Sequence, residues 1–261
     1  MQVVPFANTT VREVTMRHGI GRVVFNDYIG QGHQVLPGPQ AYLVNQVDEG
    51  SEIYPHFHDV DQFQIFISGG GRIGTHSTSP ISAHYVDAYA PYGPIVAGPK
   101  GLSYLALRLA AASGGWKMPE NRHLIVGGPG RRITFQFDQY DAISPEAGSV
   151  HRKDLWGPAS DGLGIAAIHM GPQSTCIGSE PAGGQYVLVT AGALVHEGSV
   201  VPQNSLLFLE RGESAPTFTA AAKGAVLLVM QFPFPSERAG SDPQKLNGRP
   251  TTYTMPPGND S

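Results

Sequence analysis

The sequence predicts an all-β protein built as two barrels in tandem, and three observations carry that reading. Short runs of alternating apolar and polar residues recur along the chain, the period of two expected of half-buried strands. Glycine, proline, asparagine and aspartate clusters separate them, and 33 glycines and 22 prolines favour tight turns over helices. The plan of the first half then repeats in the second. With 41% of its 261 residues apolar, the chain can fill two cores of ordinary domain size.

In the first half, strand-like runs cover residues 12–25, 40–47, 62–68, 84–89 and 102–109. In the second they cover 132–138, 164–169, 185–191, 205–210 and 225–232. Residues 110–130 and 139–160 are rich in glycine, proline and charge and read as connectors, with a short helix expected at 145–150. The tail, 236–261, is polar and proline-rich, and is expected either to be disordered or to lie along a barrel or a partner subunit. The division is a first barrel over 1–120, a second over 121–235, and the tail over 236–261.

Chemistry concentrates between residues 50 and 69. His56 and His58, one residue apart on an extended segment, project to the same side because strand side chains alternate. Gln62 follows four residues later. Two imidazoles with a third oxygen or nitrogen donor can hold one divalent metal. The spacing Gly50-x5-His56-x-His58-x3-Gln62-x6-Gly69 resembles the first motif of the cupin superfamily, with Gln62 where that motif usually carries glutamate. The superfamily's second motif brings a fourth ligand, a histidine shortly after Pro-x-Gly. Here Pro91 and Gly93 are present, and Val96 stands at the ligand position. In the second half, Gly171-x5-Ile177-x-Ser179 and Gln185-x6-Gly192 echo the first motif with a two-residue insertion and no histidines. The chain is therefore similar to a bicupin, with a variant metal motif in the first barrel and a degenerate second barrel.

That resemblance implies two jelly-roll barrels and one divalent transition metal (Fe, Ni, Mn, Cu or Zn) held by His56, His58 and Gln62. It implies a metal-dependent enzyme acting on a small organic substrate, in the manner of dioxygenases that oxidise oxygenated aromatic or diketone compounds. The neutral Gln62 is a weaker donor than a carboxylate and lowers the expected metal affinity. The alternative is a metal-free or weakly metal-binding module for small molecules, or a cupin isomerase or lyase.

Further candidates surround these residues. Gln62, Gln64 and Phe66 share one strand face, which is expected to line the barrel interior. Phe63, Ile65 and Ile67 share the other, which must be covered; the resemblance to cupins implies that it packs against another sheet or a second subunit, and a homodimer is the expectation drawn from that resemblance. Arg108 lies in phase with Tyr104 and Ala106, and either clamps a carboxylate or phenolate or forms a salt bridge at the barrel mouth. His84 is either a substitute fourth ligand or, preferably, an edge or rim residue. Tyr89 and Tyr92 either give aromatic walls to a pocket or, as tyrosines in turns beside prolines often do, only pack. Asp59 and Asp61 either orient a histidine through its second ring nitrogen or are solvated turn residues, the reading preferred for Asp59. His76 reads as a surface residue in a hairpin.

The remaining features exclude function classes. A net charge of −4 with no basic cluster gives no reason to expect nucleic acid or an anionic membrane as partner. No apolar run approaches the ~18 residues that cross a bilayer, and the N-terminal stretch lacks the pattern of a signal peptide. Cys176 is the single cysteine, so no internal disulfide framework exists. A cytoplasmic protein with a small-molecule substrate is the expectation. The glycine runs at 69–74 and 127–130 read as turns, with no following helix to bind phosphate. His18, His33, His123, His151, His169 and His196 form no ligand-spaced pair.

Overall fold

The computed structural model describes residues 1–14, 19–31, 37–128, 130–137 and 146–246. Strands account for nearly all of its regular structure, joined by two single-turn 3-10 helices at Phe6–Asn8 and Arg122–Leu124. His18, His33 and the last fifteen residues of the tail lie outside the described residues.

The repeat read from the sequence is present in the topology. One sheet runs, in spatial order, through Arg132–Gln136, Ser82–Val86, Gln62–Ile73, Ile95–Arg108, Gln40–Gln46, Val23–Ile29 and Thr10–Val14. The other runs through Gln2–Val4, Leu206–Leu209, Gln185–His196, Thr217–Gln231, Gly164–Met170 and Val150–Trp156. The four central strands of each sheet occur in the same order, and every pairing is antiparallel. Even the glycines repeat. Gly69 sits at φ +73°, and a Cβ there would come within 2.2 Å of the Gly101 carbonyl oxygen. Gly192 sits at φ +66°, with the Gly224 carbonyl oxygen 2.1 Å from the same imagined atom. Both are places where two bent strands touch backbone to backbone, which only glycine permits.

Two features depart from the expected division. Gln2–Val4 pairs with Leu206–Leu209 of the second sheet, and Arg132–Gln136 pairs with Ser82–Val86 of the first. Each half thus lends a strand to the other's sheet, and a boundary near residue 120 separates the sequence better than it separates the fold. The expected connector 139–160 contains a strand, Val150–Trp156, and residues 146–149 form a turn where a short helix was expected. Its sequence, Val-His-Arg-Lys-Asp-Leu-Trp, is mostly exposed at the sheet edge, and charge is what protects an edge strand from further pairing. The single run 12–25 divides into Thr10–Val14, Gly19–Ile20 and Val23–Ile29.

Three apolar clusters organise the interior. Ala166, Ile168, Val187, Leu207, Phe218 and Leu227 belong to the core of the second barrel. Val44, Phe66, Val86, Tyr92, Tyr104 and Ala106 belong to that of the first. The third joins them: Phe63, Ile65, Tyr85 and Leu105 pack against Tyr186, Leu228, Met230 and Phe232. The Phe63 and Phe232 rings meet edge to face, 4.9 Å between centroids. The apolar face of Phe63 and Ile65 is therefore covered by the chain's own second sheet, with Ile67 packed against the same cluster. It gives no reason to invoke a second subunit.

Candidate functional site

The first barrel gathers its polar side chains at one end. His56 opens the short strand His56–Phe57, which pairs with Trp116–Lys117, and its backbone exchanges two hydrogen bonds with Tyr92. His58 follows it onto the same side, and the two imidazoles stand 5.0 Å apart, nearly perpendicular. His56 Nδ1 lies 2.7 Å from the Tyr54 carbonyl and His58 Nδ1 2.6 Å from that of Gly114. A carbonyl only accepts, so each Nδ1 carries the proton and each Nε2 the lone pair.

Gln62 is fully buried. Its amide nitrogen donates to the Tyr92 hydroxyl at 2.8 Å, and its amide oxygen accepts from Arg108 Nε at 2.7 Å. Arg108, only 2% exposed, spends its other nitrogens alongside: Nη2 donates to His58 Nε2 at 2.9 Å, and Nη1 to Gln40 Oε1. The guanidinium also lies over the Tyr42 ring, 5.2 Å from its centroid. Among the described residues no carboxylate pairs with it. The salt bridge weighed for Arg108 is therefore not what holds it.

Tyr92 is the hub. Its ring lies 4.5 Å from His56, 5.6 Å from His84 and 6.2 Å from His58. Burial pushes its hydroxyl well above the usual tyrosine range, so it stays protonated. His84 is buried, which corrects the rim position expected for it. Its Nδ1 meets Thr134 Oγ1 at 2.9 Å, while Nε2 has no hydrogen-bond partner among the described residues. Burial, reinforced by the charges of His76 and Arg132, pushes its pKa down to about 3, so it is neutral. Directly across the ladder sits Gln64, whose Oε1 is likewise buried and unpaired. Val96 pairs with Glu52 and Arg72 in the sheet and offers no donor side chain.

Other expectations resolve into structural roles. Asp59 is fully buried, not a solvated turn residue, and accepts the Ser113 backbone N–H at 2.9 Å. Asp61 accepts from the Tyr85 hydroxyl, from the Ala88 N–H and from both terminal nitrogens of Arg238. The tail is laid along the first barrel, where Ala239 packs with Phe57, Ala88, Tyr89 and Trp116, and Leu246 with Val60, Ala110 and Ala112. Tyr89 packs with Phe57 and Trp116 beside the histidines. His76 is exposed in its hairpin. Gln40 is the site residue that sequence reasoning missed. It is the ladder partner of Arg108, a pairing 68 residues apart that no local pattern announces.

Tested against a divalent metal, this donor set fits only in part. Nδ1-tethered histidines are what metal ligation asks for. The third donor fails, because Gln62 Oε1 and His58 Nε2 both already receive N–H groups of a permanently charged guanidinium. A cation at those lone pairs would face Arg108 at hydrogen-bond range. Among the described residues, no three His, Cys, Asp or Glu side chains come together as a metal-holding group. In the second barrel Ile177 is 75% exposed and Gln185 pairs with Gln231 at 2.8 Å, and among the described residues no counterpart of the histidine site is found there.

No protein-family model and no curated protein matches this chain. Solved structures do. A candidate dioxygenase from Nostoc punctiforme superposes with a TM-score of 0.57 at 12% identity, covering 88% of this chain and 81% of that one. Oxalate decarboxylase from Bacillus subtilis, described with Mn(II) centres, gives 0.57 at 12%, covering 88% and 76%. Oxalate decarboxylase from Lactobacillus farciminis, solved with formate, gives 0.57 at 10%, covering 89% and 86%. At such identity the likeness carries the fold and not the chemistry: the chain has the all-β, cupin-type architecture that its first motif led one to expect.

Proposed function

We propose that the first barrel binds a small organic anion, with Arg108 supplying the positive charge and His56 the proton-transfer group. One observation supports this above others: Arg108 is a buried cation whose acceptors, Gln40, Gln62 and His58, are all neutral. An uncompensated buried charge costs several kcal/mol, and an incoming carboxylate or enolate offsets that cost. The guanidinium's remaining N–H groups suit a planar oxyanion. The tautomers leave the basic lone pair of each imidazole on Nε2; that of His58 is already held by Arg108 Nη2, so His56 is the imidazole assigned as general base. The chemistry that follows is acid–base, of the isomerase or lyase kind.

A second reading, a metal-dependent oxidation of an oxygenated substrate, is favoured by the carbonyl-tethered Nδ1 atoms of both histidines. Thermal-shift measurements with a panel of small mono-, di- and hydroxycarboxylates, on protein whose metal content is known, separate the two. The anion reading expects at least one carboxylate to raise the melting temperature of metal-free protein, and Arg108→Gln to abolish the rise. If no panel member stabilises the protein, and it carries metal that His56→Ala with His58→Ala removes, the anion reading is wrong.

A further inference from the structure

The guanidinium of Arg108 lies against two of the three side chains expected to hold a metal, His58 and Gln62. It meets three neutral donor atoms from three different segments: His58 Nε2 at 2.9 Å, Gln62 Oε1 at 2.7 Å, and Gln40 Oε1. All four side chains are at least nine-tenths buried. These lone pairs converge on a single cationic group, as ligands converge on an ion. We propose that Arg108 is the resident cation of this site, filling in the wild-type protein the place of a divalent metal, and that its removal opens a latent metal site on His56, His58 and residue 62.

The charges support the substitution. A dication held by two neutral imidazoles and one carboxylate, the common facial arrangement, leaves the site at a net +1. A guanidinium held by neutral imidazole and two neutral amides leaves it at +1 as well. Glutamine at 62 and arginine at 108 are thus a matched pair. A carboxylate at 62 would neutralise the guanidinium, and a dication beside Arg108 would raise the charge to +3 in a buried site.

The second barrel supplies an internal control. Gln185 occupies the position of Gln62 in the repeated motif, at the start of the corresponding long strand. Its partner is Gln231, at the same end of the second sheet's long strand as Arg108 is of the first. Where Ile177 and Ser179 replace the histidines, a neutral amide stands in the arginine's place. The cation accompanies the imidazoles.

This inference shares Arg108 with the proposed function but does not depend on an anionic ligand. Failure of every carboxylate to bind would remove that reading and leave this one standing. The test is equilibrium dialysis against Co2+ and Zn2+, read by elemental mass spectrometry and by the visible absorption of bound Co2+. The wild type should take up no specific metal. Arg108→Met combined with Gln62→Glu should take up about one equivalent per chain, at least about 100-fold more tightly than the wild type, and lose it when His56→Ala is added. Stoichiometric metal in the wild type, lost on replacing both histidines by alanine, would overturn the proposal. So would a folded double variant that binds no more tightly than the wild type. Should that variant not fold, the wild type decides alone through nitrogen NMR of His58. Its Nε2 resonance should stay put under excess Zn2+, and a metal-bound shift there refutes the inference.

Discussion

Arg238 offers the sharpest test of how the tail is held. Asp61 is 6% exposed and receives Arg238 Nη1 at 2.8 Å and Nη2 at 2.6 Å, with Nη2 also 3.3 Å from Asp87. Arg238→Ala would strand Asp61 with only the Tyr85 hydroxyl and the Ala88 N–H as donors. Breaking a buried pair from one side costs about 3–5 kcal/mol. Arg238 itself is 30% exposed, so water replaces part of what is lost, and about 2–3 kcal/mol is the better expectation. For a chain of this size that lowers the melting temperature by roughly 5–10 °C. Urea titration measures the loss, and Asp61→Asn in the same background should recover part of it, since the stranded charge is then gone. A loss below about 0.5 kcal/mol, with no recovery from Asp61→Asn, would mean that the tail is not clamped.

Two further outcomes follow from buried groups. His84 is neutral when folded, its pKa pushed down from 6.5 to about 3 chiefly by burial and then by His76 and Arg132. Because the folded value is the depressed one, its contribution is present above pH 6.5 and is lost as the pH falls toward 3. The loss by pH 4 should be about 3 kcal/mol, and His84→Asn should flatten the acid limb of the stability–pH curve; an unchanged slope would contradict the burial argument. Phe232 is fully buried, with its ring 4.9 Å from Phe63, 6.2 Å from Tyr186 and 6.4 Å from Tyr85, so it joins the two sheets. Phe232→Ala should cost about 3–5 kcal/mol in chemical denaturation; a cost below about 1 kcal/mol would show that this ring does not fasten the two sheets together.

Much of the fold was legible because strands announce themselves locally. Alternation at 62–68, 164–169 and 185–191 fell within the observed strands Gln62–Ile73, Gly164–Met170 and Gln185–His196. The glycine that ends each motif marked a backbone contact that repeats in the second half. What stayed hidden was pairing at a distance. Gln2–Val4 finds its partner some two hundred residues away, and Val150–Trp156 is too charged to read as a strand. The site divides in the same way. The spacing of His56, His58 and Gln62 set one wall, and the phase of Arg108 set another. The contact between them, 46 and 50 residues apart in sequence, arises only when the ladder closes.

That closure bears on how a missing ligand should be read. At Val96 and Gln62 the sequence departs from a metal motif, and each departure alone suggests a site in decay. A decaying site would leave buried lone pairs without donors, at about 1–3 kcal/mol each. Instead, His58, Gln62 and Gln40 are all satisfied by one side chain. In the second barrel, where Ile177 and Ser179 stand at the histidine positions, the corresponding end holds the Gln185–Gln231 pair, with Gln185 Oε1 buried and unpaired among the described residues. The first barrel keeps a polar end in which Nδ1 of both histidines and the amide of Gln62 are hydrogen-bonded. One cation thus satisfies three buried acceptors that would otherwise carry a desolvation cost, which is the arrangement the resident-cation proposal requires.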